Sequence, residues 1–245
     1  MKNALIVIIL GILVVGTYFF INKKEPVVEV PVVSVTEETK PVELCFGGFG
    51  KANTRGLSDK NTLYMSIDNT TGKVTGELKF LPAEKDSKVG KFEGTVSVVD
   101  KVMMARTVDA TWDTFAEGIN AKEQLKFIFG EGTASIGLGE MVERGDGVYV
   151  YKDEKNILYN LELGDVACTD LTLRDNIESY LKANIAQLSP VKAVLGGTWQ
   201  IIGVTSDLKS NSGVVVYEDG HIQEIKNFTF TANEKQEVVS LTILK

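Results

Sequence analysis

The sequence predicts a mainly β protein with an N-terminal transmembrane helix, and three observations support this prediction. The first is an uncharged, apolar run of 18 residues, Ala4–Ile21. The second is a series of short segments in which apolar and polar residues alternate, separated by turns rich in Gly, Asn and Asp, as in antiparallel strands. The third is a single helical segment near residue 180. We therefore expect an antiparallel β-barrel or sandwich, one amphipathic helix and a C-terminal antiparallel β-meander.

Residues 1–24 are predicted to form a transmembrane anchor. As a helix, Ala4–Ile21 would be about 27 Å long, which is close to the thickness of the hydrocarbon core. The aromatic residues Tyr18–Phe20 at its end suit the membrane interface. A cleaved signal peptide is the alternative, but the run exceeds the usual length of about 7–15 residues and no small-residue cleavage site follows. We expect a single-pass protein of the cell membrane with a cytoplasmic N-terminus and an exported body.

Residues 25–42 are predicted to form an extended linker. This stretch contains three prolines and is rich in valine, a composition that favours polyproline-like or β conformers. Fully extended, it could hold the body up to about 50 Å from the bilayer. Alternatively, part of the Val-rich stretch adds an edge strand to the body.

Cys45, in the stretch VELCFGGFG, is predicted to form a disulfide bond with Cys168, the only other cysteine. A lipid-modified cysteine would need small residues before it, whereas Glu43 and Leu44 precede Cys45. A reactive thiol would need a histidine or a basic neighbour, and none lies nearby in the sequence. The alternative is two buried free cysteines. The bridge would make residues 43–168 a covalently closed unit.

Residues 43–168 are predicted to form the barrel or sandwich. The strands TLYMSID and KVTGELKFL are separated by NTTG, which predicts a hairpin, and further short strands follow. In the second of these strands, Val74 and Leu78 share one face, and Glu77 and Lys79 lie on the other. Residues 109–124 are ambiguous and could hold a strand and then a short helical turn.

Residues 169–190 are predicted to form the amphipathic helix, with Thr172 as its N-cap and Asp175 three residues later. Its apolar positions form one face: Leu173, Ile177, Tyr180, Leu181, Ile185 and Leu188. Residues 191–245 follow as a meander of about five strands, with a tight turn at Asp219–Gly220. We expect this meander to form a sheet separate from that of residues 43–168; the alternative is that its strands close the sheet of that module.

Charge and motif content argue against several classes of function. The whole chain carries a net charge of −7, and the first 24 residues contribute three lysines and no acid, so the rest carries −10. Such an acidic body disfavours a nucleic-acid partner. The single histidine, His221, follows a turn and has no nucleophile near it in the sequence. We predict no catalytic, metal or cofactor-binding residues, and we interpret the clustered acids as solvated turn residues: Glu131, Glu140, Glu143 and Asp146.

Aromatic residues are the candidate ligand contacts. If the body binds a ligand, we expect Trp112, Phe115 and Trp199 to line an apolar pocket or groove. Trp199 lies in the tripeptide GTW, which resembles the G-x-W signature of lipocalin-like barrels. Only 46 residues follow Trp199, enough for about four further strands instead of the usual eight. A core position for Trp199 is therefore the alternative.

Three longer stretches carry a family resemblance: FLPAEKDSKVGKFEGTV (80–96), EGTASIGLGEMVERGDGVYVYKD (131–153) and LSPVKAVLGGTWQIIGVT (188–205). They resemble a group of uncharacterised bacterial exported or membrane-tethered β-rich proteins. The resemblance implies a location and a fold, and it brings no activity and no site residue.

The expected function is that of a membrane-anchored, extracytoplasmic and non-enzymatic binding module of the bacterial envelope, whose partner is a small ligand, a glycan or a protein. Two alternatives stay open. One is an envelope-polymer hydrolase that uses paired carboxylates, which would need two acids about 5–10 Å apart in a cleft. The other is a structural domain of an envelope assembly, which would expose an apolar patch.

Overall fold

The computed structural model describes residues 40–83 and 86–245. The predicted anchor (1–24) and most of the predicted linker (25–42) lie outside the described residues. No helix in the described part of the chain is long and apolar enough to cross a membrane. The described strands are β1 Val42–Phe49, β2 Lys60–Asp68, β3 Lys73–Leu81, β4 Lys88–Val96, β5 Arg106–Ala116, β6 Ile119–Gly130, β7 Thr133–Leu138, β8 Met141–Glu143, β9 Val148–Tyr151, β10 Leu158–Asp165, β11 Gln200–Asp207, β12 Ser212–Glu218, β13 Gln223–Ala232 and β14 Val238–Ile243. The described α-helix is α1 Cys168–Leu188, and a 3₁₀ turn spans Glu154–Asn156.

Eight of these strands form a closed antiparallel barrel, which decides between the two architectures that the sequence predicts. Strands β1 to β7 pair in chain order, and β10 completes the ring between β7 and β1. The short β8–β9 hairpin is an excursion in which β9 pairs with β6 in parallel. The helical turn that the sequence leaves open within residues 109–124 does not form, because β5 and β6 form a hairpin that is paired from Arg106–Phe129 to Ala116–Ile119.

Side chains fill the interior of the barrel. On β2, Leu63 and Met65 are fully buried inside the barrel, whereas Thr62 and Tyr64 lie on the outer face. Rings pack edge to face across the interior, with the centroids of Phe92 and Phe127 5.7 Å apart. The core comprises Phe46, Leu63, Met65, Ile67, Val74, Leu78, Phe92, Val96, Val108, Ala110, Trp112, Leu125, Phe127, Phe129, Ala134, Ile136 and Leu163.

The helix α1 and strands β11–β14 form a second layered unit with its own core. The four strands pair in chain order as an antiparallel meander, separate from the barrel sheet, as the sequence predicts. There are four described strands instead of five, because HIQEIK and FTFTA belong to the single strand β13. Ile177, Leu181 and Ile185 of α1 are buried against the sheet. The ring of Trp199 packs edge to face on that of Tyr217 in this core, with centroids 4.8 Å apart.

The disulfide bond between Cys45 and Cys168 confirms the predicted pairing, with a Cα–Cα distance of 5.2 Å. The predicted start of the helix is wrong, because α1 begins at Cys168 and not near Thr172. The N-cap position is Ala167, whose side chain makes no cap. Thr172 is inside the helix, where its hydroxyl donates to the carbonyl oxygen of Cys168 at 3.1 Å. A covalent bond to β1 thus fixes the first turn of α1 without a side-chain cap.

Candidate functional site

A cleft of about 440 Å³ lies between the outer wall of the barrel and the helix. One wall is the outer face of β1–β3, the second is α1, and the third is β11. The barrel wall is polar because every second residue of each strand faces outwards. The residues that line the cleft are Phe49, Gly50, Ser58, Lys60, Thr62, Tyr64, Glu77, Lys79, Leu81, Cys168, Leu171, Thr172, Arg174, Asp175, Glu178, Val204, Thr205, Ser206 and Asp207.

The disulfide bond positions the helical wall of the cleft. Cys45 is between Leu44 and Phe46, which pack in or against the barrel core, so its side chain lies on the outer face of β1. Cys168 is the first residue of α1, and the helix therefore starts against the barrel wall. Leu171, Asp175 and Glu178 follow at helical spacings of four and three, and all of them line the cleft.

Two lysines of the barrel wall form ion pairs with two acids of the helix. Lys60 Nζ lies 2.6 Å from Glu178, and Lys79 Nζ lies 2.6 Å from Asp175. Lys79 Nζ is also 3.7 Å from Glu77 on the same strand, so a single ammonium group lies near two carboxylates. The partners are 118 and 96 residues apart in the chain, and only the tertiary fold brings them together.

Burial and the neighbouring charges shift the pKa values of Glu178 and Lys79 in opposite directions. Burial would raise the pKa of Glu178, but the charges and hydrogen bonds of Lys60 and Lys182 outweigh it and lower that pKa. Burial would likewise lower the pKa of Lys79, whereas the hydrogen bond and charge of Asp175, with smaller contributions from Glu77 and Glu178, raise it. The acid and the ammonium are therefore both held in their charged forms.

Arg174 joins the three walls of the cleft. Its guanidinium lies over the ring of Phe49, 4.2 Å from the ring centroid. Its Nη1 donates to the carbonyl oxygen of Ser206 at 2.5 Å and contacts the hydroxyl of the same residue at 3.1 Å. Burial lowers the pKa of Arg174, with Asp170 and Asp207 acting in the other direction. The arginine connects α1 with β1 and β11.

Hydroxyl groups complete the polar lining. The hydroxyls of Ser58 and Thr205 lie 2.9 Å apart and join the β1–β2 loop to β11. Tyr64 donates its hydroxyl to Glu43 at 2.9 Å, and this hydrogen bond raises the pKa of Tyr64, with smaller contributions from burial and from the charge of Glu43. The cleft therefore offers donors, acceptors, charges of both signs and an aromatic ring within one space.

The three aromatic residues predicted to line a pocket are in three different places. Trp112 is buried inside the barrel, where its Nε1 donates to Gly90 O at 3.0 Å, and it borders a smaller hollow of about 190 Å³. Phe115, three residues further along the same strand, has the opposite orientation and is 49% exposed. Trp199 belongs to the core of the second unit, where its Nε1 donates to Val191 O at 3.2 Å. None of the three borders the large cleft.

The clustered acids lie in exposed turns or beside them. Glu143 accepts hydrogen bonds from the backbone N–H groups of Gly145 and Gly147 at 3.0 and 2.9 Å. Asp146 pairs with Arg144 at 2.6 Å in the same turn. The remaining members are also exposed: Glu131 in the β6–β7 turn and Glu140, which pairs with Lys152.

His221 is in the β12–β13 turn, where its backbone N–H donates to Asp219 at 2.9 Å. In the described part of the chain, no group of three or more His, Cys, Asp or Glu residues is placed to hold a metal ion.

No sequence pattern identifies the charged residues of the cleft as a site. The strand pattern placed Glu77 and Lys79 on the polar face, but a polar strand face is ordinarily solvated. The sequence pattern assigns Asp175 to a helix cap. Their spacing in the sequence carries no signal of their proximity, because the pairing depends on where α1 packs against the barrel.

Comparisons with protein-family models, with curated proteins and with solved structures found no match for this chain. The function is therefore inferred from the geometry of the cleft.

Proposed function

We propose that this protein is a membrane-anchored, extracytoplasmic and non-enzymatic binding module, and that the cleft between barrel and helix is its ligand site. The observation that carries the proposal is the convergence of charged and hydroxyl groups from three separate walls on one space of about 440 Å³. This volume lies within the range of small-molecule sites, roughly 300–1,000 Å³.

The chemistry of the lining favours a short glycan as the ligand. Sugar hydroxyls both donate and accept, and the cleft offers acceptors at Asp175 and Glu178 and donors at Lys60 and Lys79. Because these charges already neutralise one another in pairs, the ligand does not need a strong net charge. Phe49 and Leu171 add apolar surface for the C–H face of a sugar ring.

The proposed location agrees with the chemistry of the body. A disulfide bond is typical of proteins outside the reducing cytosol, and the Cys45–Cys168 bond therefore supports an exported body. The apolar run Ala4–Ile21 would provide the anchor in the bacterial cell membrane. A glycan of the cell envelope would be within reach of such a tethered module.

Calorimetric titration with a disaccharide–dipeptide fragment of peptidoglycan tests the proposal. We expect saturable binding by the full-length protein in detergent, and Lys79→Met should weaken it at least about tenfold, since it removes one charge-assisted donor from the lining. The matched control is Lys122→Met, which removes an exposed lysine paired with Asp113 at 3.1 Å on the barrel wall away from the cleft. Equal affinity of Lys79→Met and wild type would remove the cleft as the site.

A hydrolase is the second candidate, because Asp175 and Glu77 approach each other across Lys79 within the cleft. Such an enzyme needs one carboxyl group that keeps its proton near neutral pH. Lys79 instead pairs with both carboxylates, and the neighbouring Glu178 has a lowered pKa, which favours binding over hydrolysis. Mass spectrometry of the disaccharide after prolonged incubation distinguishes the two functions: cleavage that Asp175→Asn abolishes would establish the hydrolase.

A further inference from the structure

An exposed apolar loop projects from one end of the barrel. This loop, residues 98–104, connects β4 with β5 and has the sequence VVDKVMM. Its five large apolar side chains are exposed to 87, 51, 93, 56 and 57% of their surface, in the order Val98, Val99, Val102, Met103 and Met104. Single exposed apolar residues are ordinary on protein surfaces, but five within seven residues, interrupted only by Asp100 and Lys101, indicate an interaction site.

The loop has a defined backbone structure. Asp100 N donates to Ala105 O at 2.8 Å, and a carboxylate oxygen of Asp100 accepts from the backbone N–H groups of Val102 and Met103 at 2.8 and 3.0 Å. At the base, Ser97 N donates to Thr107 O at 2.9 Å. These bonds satisfy the N–H groups of Val102 and Met103 at the tip, so those groups need no partner at a membrane interface, where Asp100 and Lys101 can remain among the polar headgroups.

The position of the loop indicates what it contacts. Val42, where the first described strand begins, pairs with Ile67 at the end of β2, and Val96 pairs with Val108 at the base of the loop. The strand alternation therefore places the apolar loop and the entry of the chain at the same end of the barrel, which we call the Val42 end. Residues 1–39 continue from this end and include the apolar run Ala4–Ile21.

The cleft occupies the other half of the barrel wall. Phe49 and Lys60, which line it, pair at the opposite end of β1 and β2, and Lys60 pairs with Leu81 at the end of β3. A body that rests on its Val42 end therefore presents the cleft away from the surface beneath it.

We propose that the apolar loop inserts into the interfacial region of the membrane and holds the body on the bilayer with the cleft facing outwards. The inference rests on the proposed anchor, whose linker would keep the Val42 end within about 50 Å of the bilayer. The contact is apolar and not electrostatic, because the chain beyond the first 24 residues carries a net charge of −10. It should therefore form on zwitterionic phosphatidylcholine and be insensitive to salt.

Fluorescence of a tryptophan placed in the loop tests the inference in the full-length protein, reconstituted into phosphatidylcholine vesicles. We expect Val102→Trp to show blue-shifted emission that brominated lipids quench by roughly twofold, since interfacial groups lie within ~5–10 Å of the acyl boundary. The native Trp112 and Trp199 are buried and are subtracted using the parent protein. The matched control is Ile119→Trp, a 68% exposed position at the start of β6, beside the β5–β6 turn at the opposite end, which should remain red-shifted and unquenched.

A second variant tests whether the apolar side chains of the loop cause the lipid contact. Adding Val98→Asp and Met103→Asp to Val102→Trp should return the emission to the aqueous position and abolish quenching, while the thermal midpoint stays that of the parent because all three side chains are exposed. If the protein floats with the vesicles but the emission at position 102 is unquenched, the loop contact alone is overturned. Emission that is unquenched and blue-shifted would indicate burial of the loop against another copy of the protein. Failure of the full-length protein to float with vesicles would overturn the anchor and the loop contact together.

Discussion

The barrel interior and the cleft on its outer wall are formed by alternate residues of the same strands, and their chemistry is opposite. On β2, Leu63 and Met65 belong to the packed core, whereas Thr62 and Tyr64 line the cleft. The interior is filled by aromatic and branched side chains, and the cleft is bounded by charges paired across two elements.

This difference in chemistry shows that the barrel fold and the proposed binding site depend on different residues. Barrels that carry small ligands usually hold them inside, in the space between the strands. Here side chains occupy that space, and the 440 Å³ cleft arises only because the disulfide bond and α1 add a second wall outside the barrel. The barrel architecture therefore does not locate the proposed site; the packing of the helix creates it.

The largest expected effect comes from breaking the covalent link that holds the cleft together. Cys45→Ala with Cys168→Ala should lower the free energy of unfolding by about 4–5 kcal/mol, because the bridge closes a loop of more than a hundred residues in the unfolded chain. Urea denaturation under oxidising conditions measures the loss. In reductant, wild type and the double variant should agree; a difference that persists there would assign the loss to packing of Cys45, which is 2% exposed.

A smaller effect should come from adding one methyl group to the barrel interior. Gly76 lies opposite Phe92, and a Cβ at Gly76 would lie closest to the backbone oxygen of Tyr64 and 2.5 Å from Phe92 Cζ, so both the neighbouring strand and the core ring would have to shift. We expect Gly76→Ala to cost about 1–3 kcal/mol, because the core has no space to receive it. Thermal or chemical denaturation of the variant measures the cost.

Gly164→Ala is the matched control for Gly76→Ala, because the nearest atom to its Cβ would be Gly47 O at 3.9 Å. It should change stability by no more than about 0.5 kcal/mol. Equal stability of the two variants would show that the interior is looser than its packing indicates, and would restore the barrel as a place for a ligand.

The smallest expected effect concerns the ion pairs of the cleft. Glu178 has a lowered pKa in the folded state, so it adds stability above its unfolded pKa, and this contribution disappears as the pH falls through the folded pKa. Glu178→Gln should therefore be less stable than wild type by about 1 kcal/mol at pH 7. The gap should close as the pH falls below about 4.5. Chemical denaturation from pH 7 to pH 3 measures both.

Glu140→Gln provides the comparison for Glu178→Gln, because Glu140 pairs with Lys152 at 2.7 Å while both side chains are more than half exposed. Solvent screens such a pair, and the variant should match wild type within error across the pH range. A gap for Glu178→Gln that stays constant down to pH 3 would mean that its charge does not contribute to stability.

Much of the fold follows from local patterns. The hairpin around NTTG and the turn at Asp219–Gly220 are as predicted, because alternation and turn chemistry act over a few residues. The C-terminal strands form their own sheet, which the local patterns favour but leave open. The predictions that failed depend on distant contacts. The N-cap is Ala167, five residues before Thr172, because α1 begins at Cys168, which is bonded to Cys45. Residues 109–116 and 119–124 are extended because β5 and β6 pair along them.

The sequence by itself determined which residues form strands, which face of each strand is apolar, where the helix lies, and which two cysteines could pair. These properties come from periodicity and composition, which neighbouring residues carry among themselves. Only the tertiary structure decided that the strands close into a filled barrel, that α1 lies along its outer wall, and that Lys60 meets Glu178 and Lys79 meets Asp175. These contacts join residues about a hundred positions apart, and a site made of them exists only once the chain has folded.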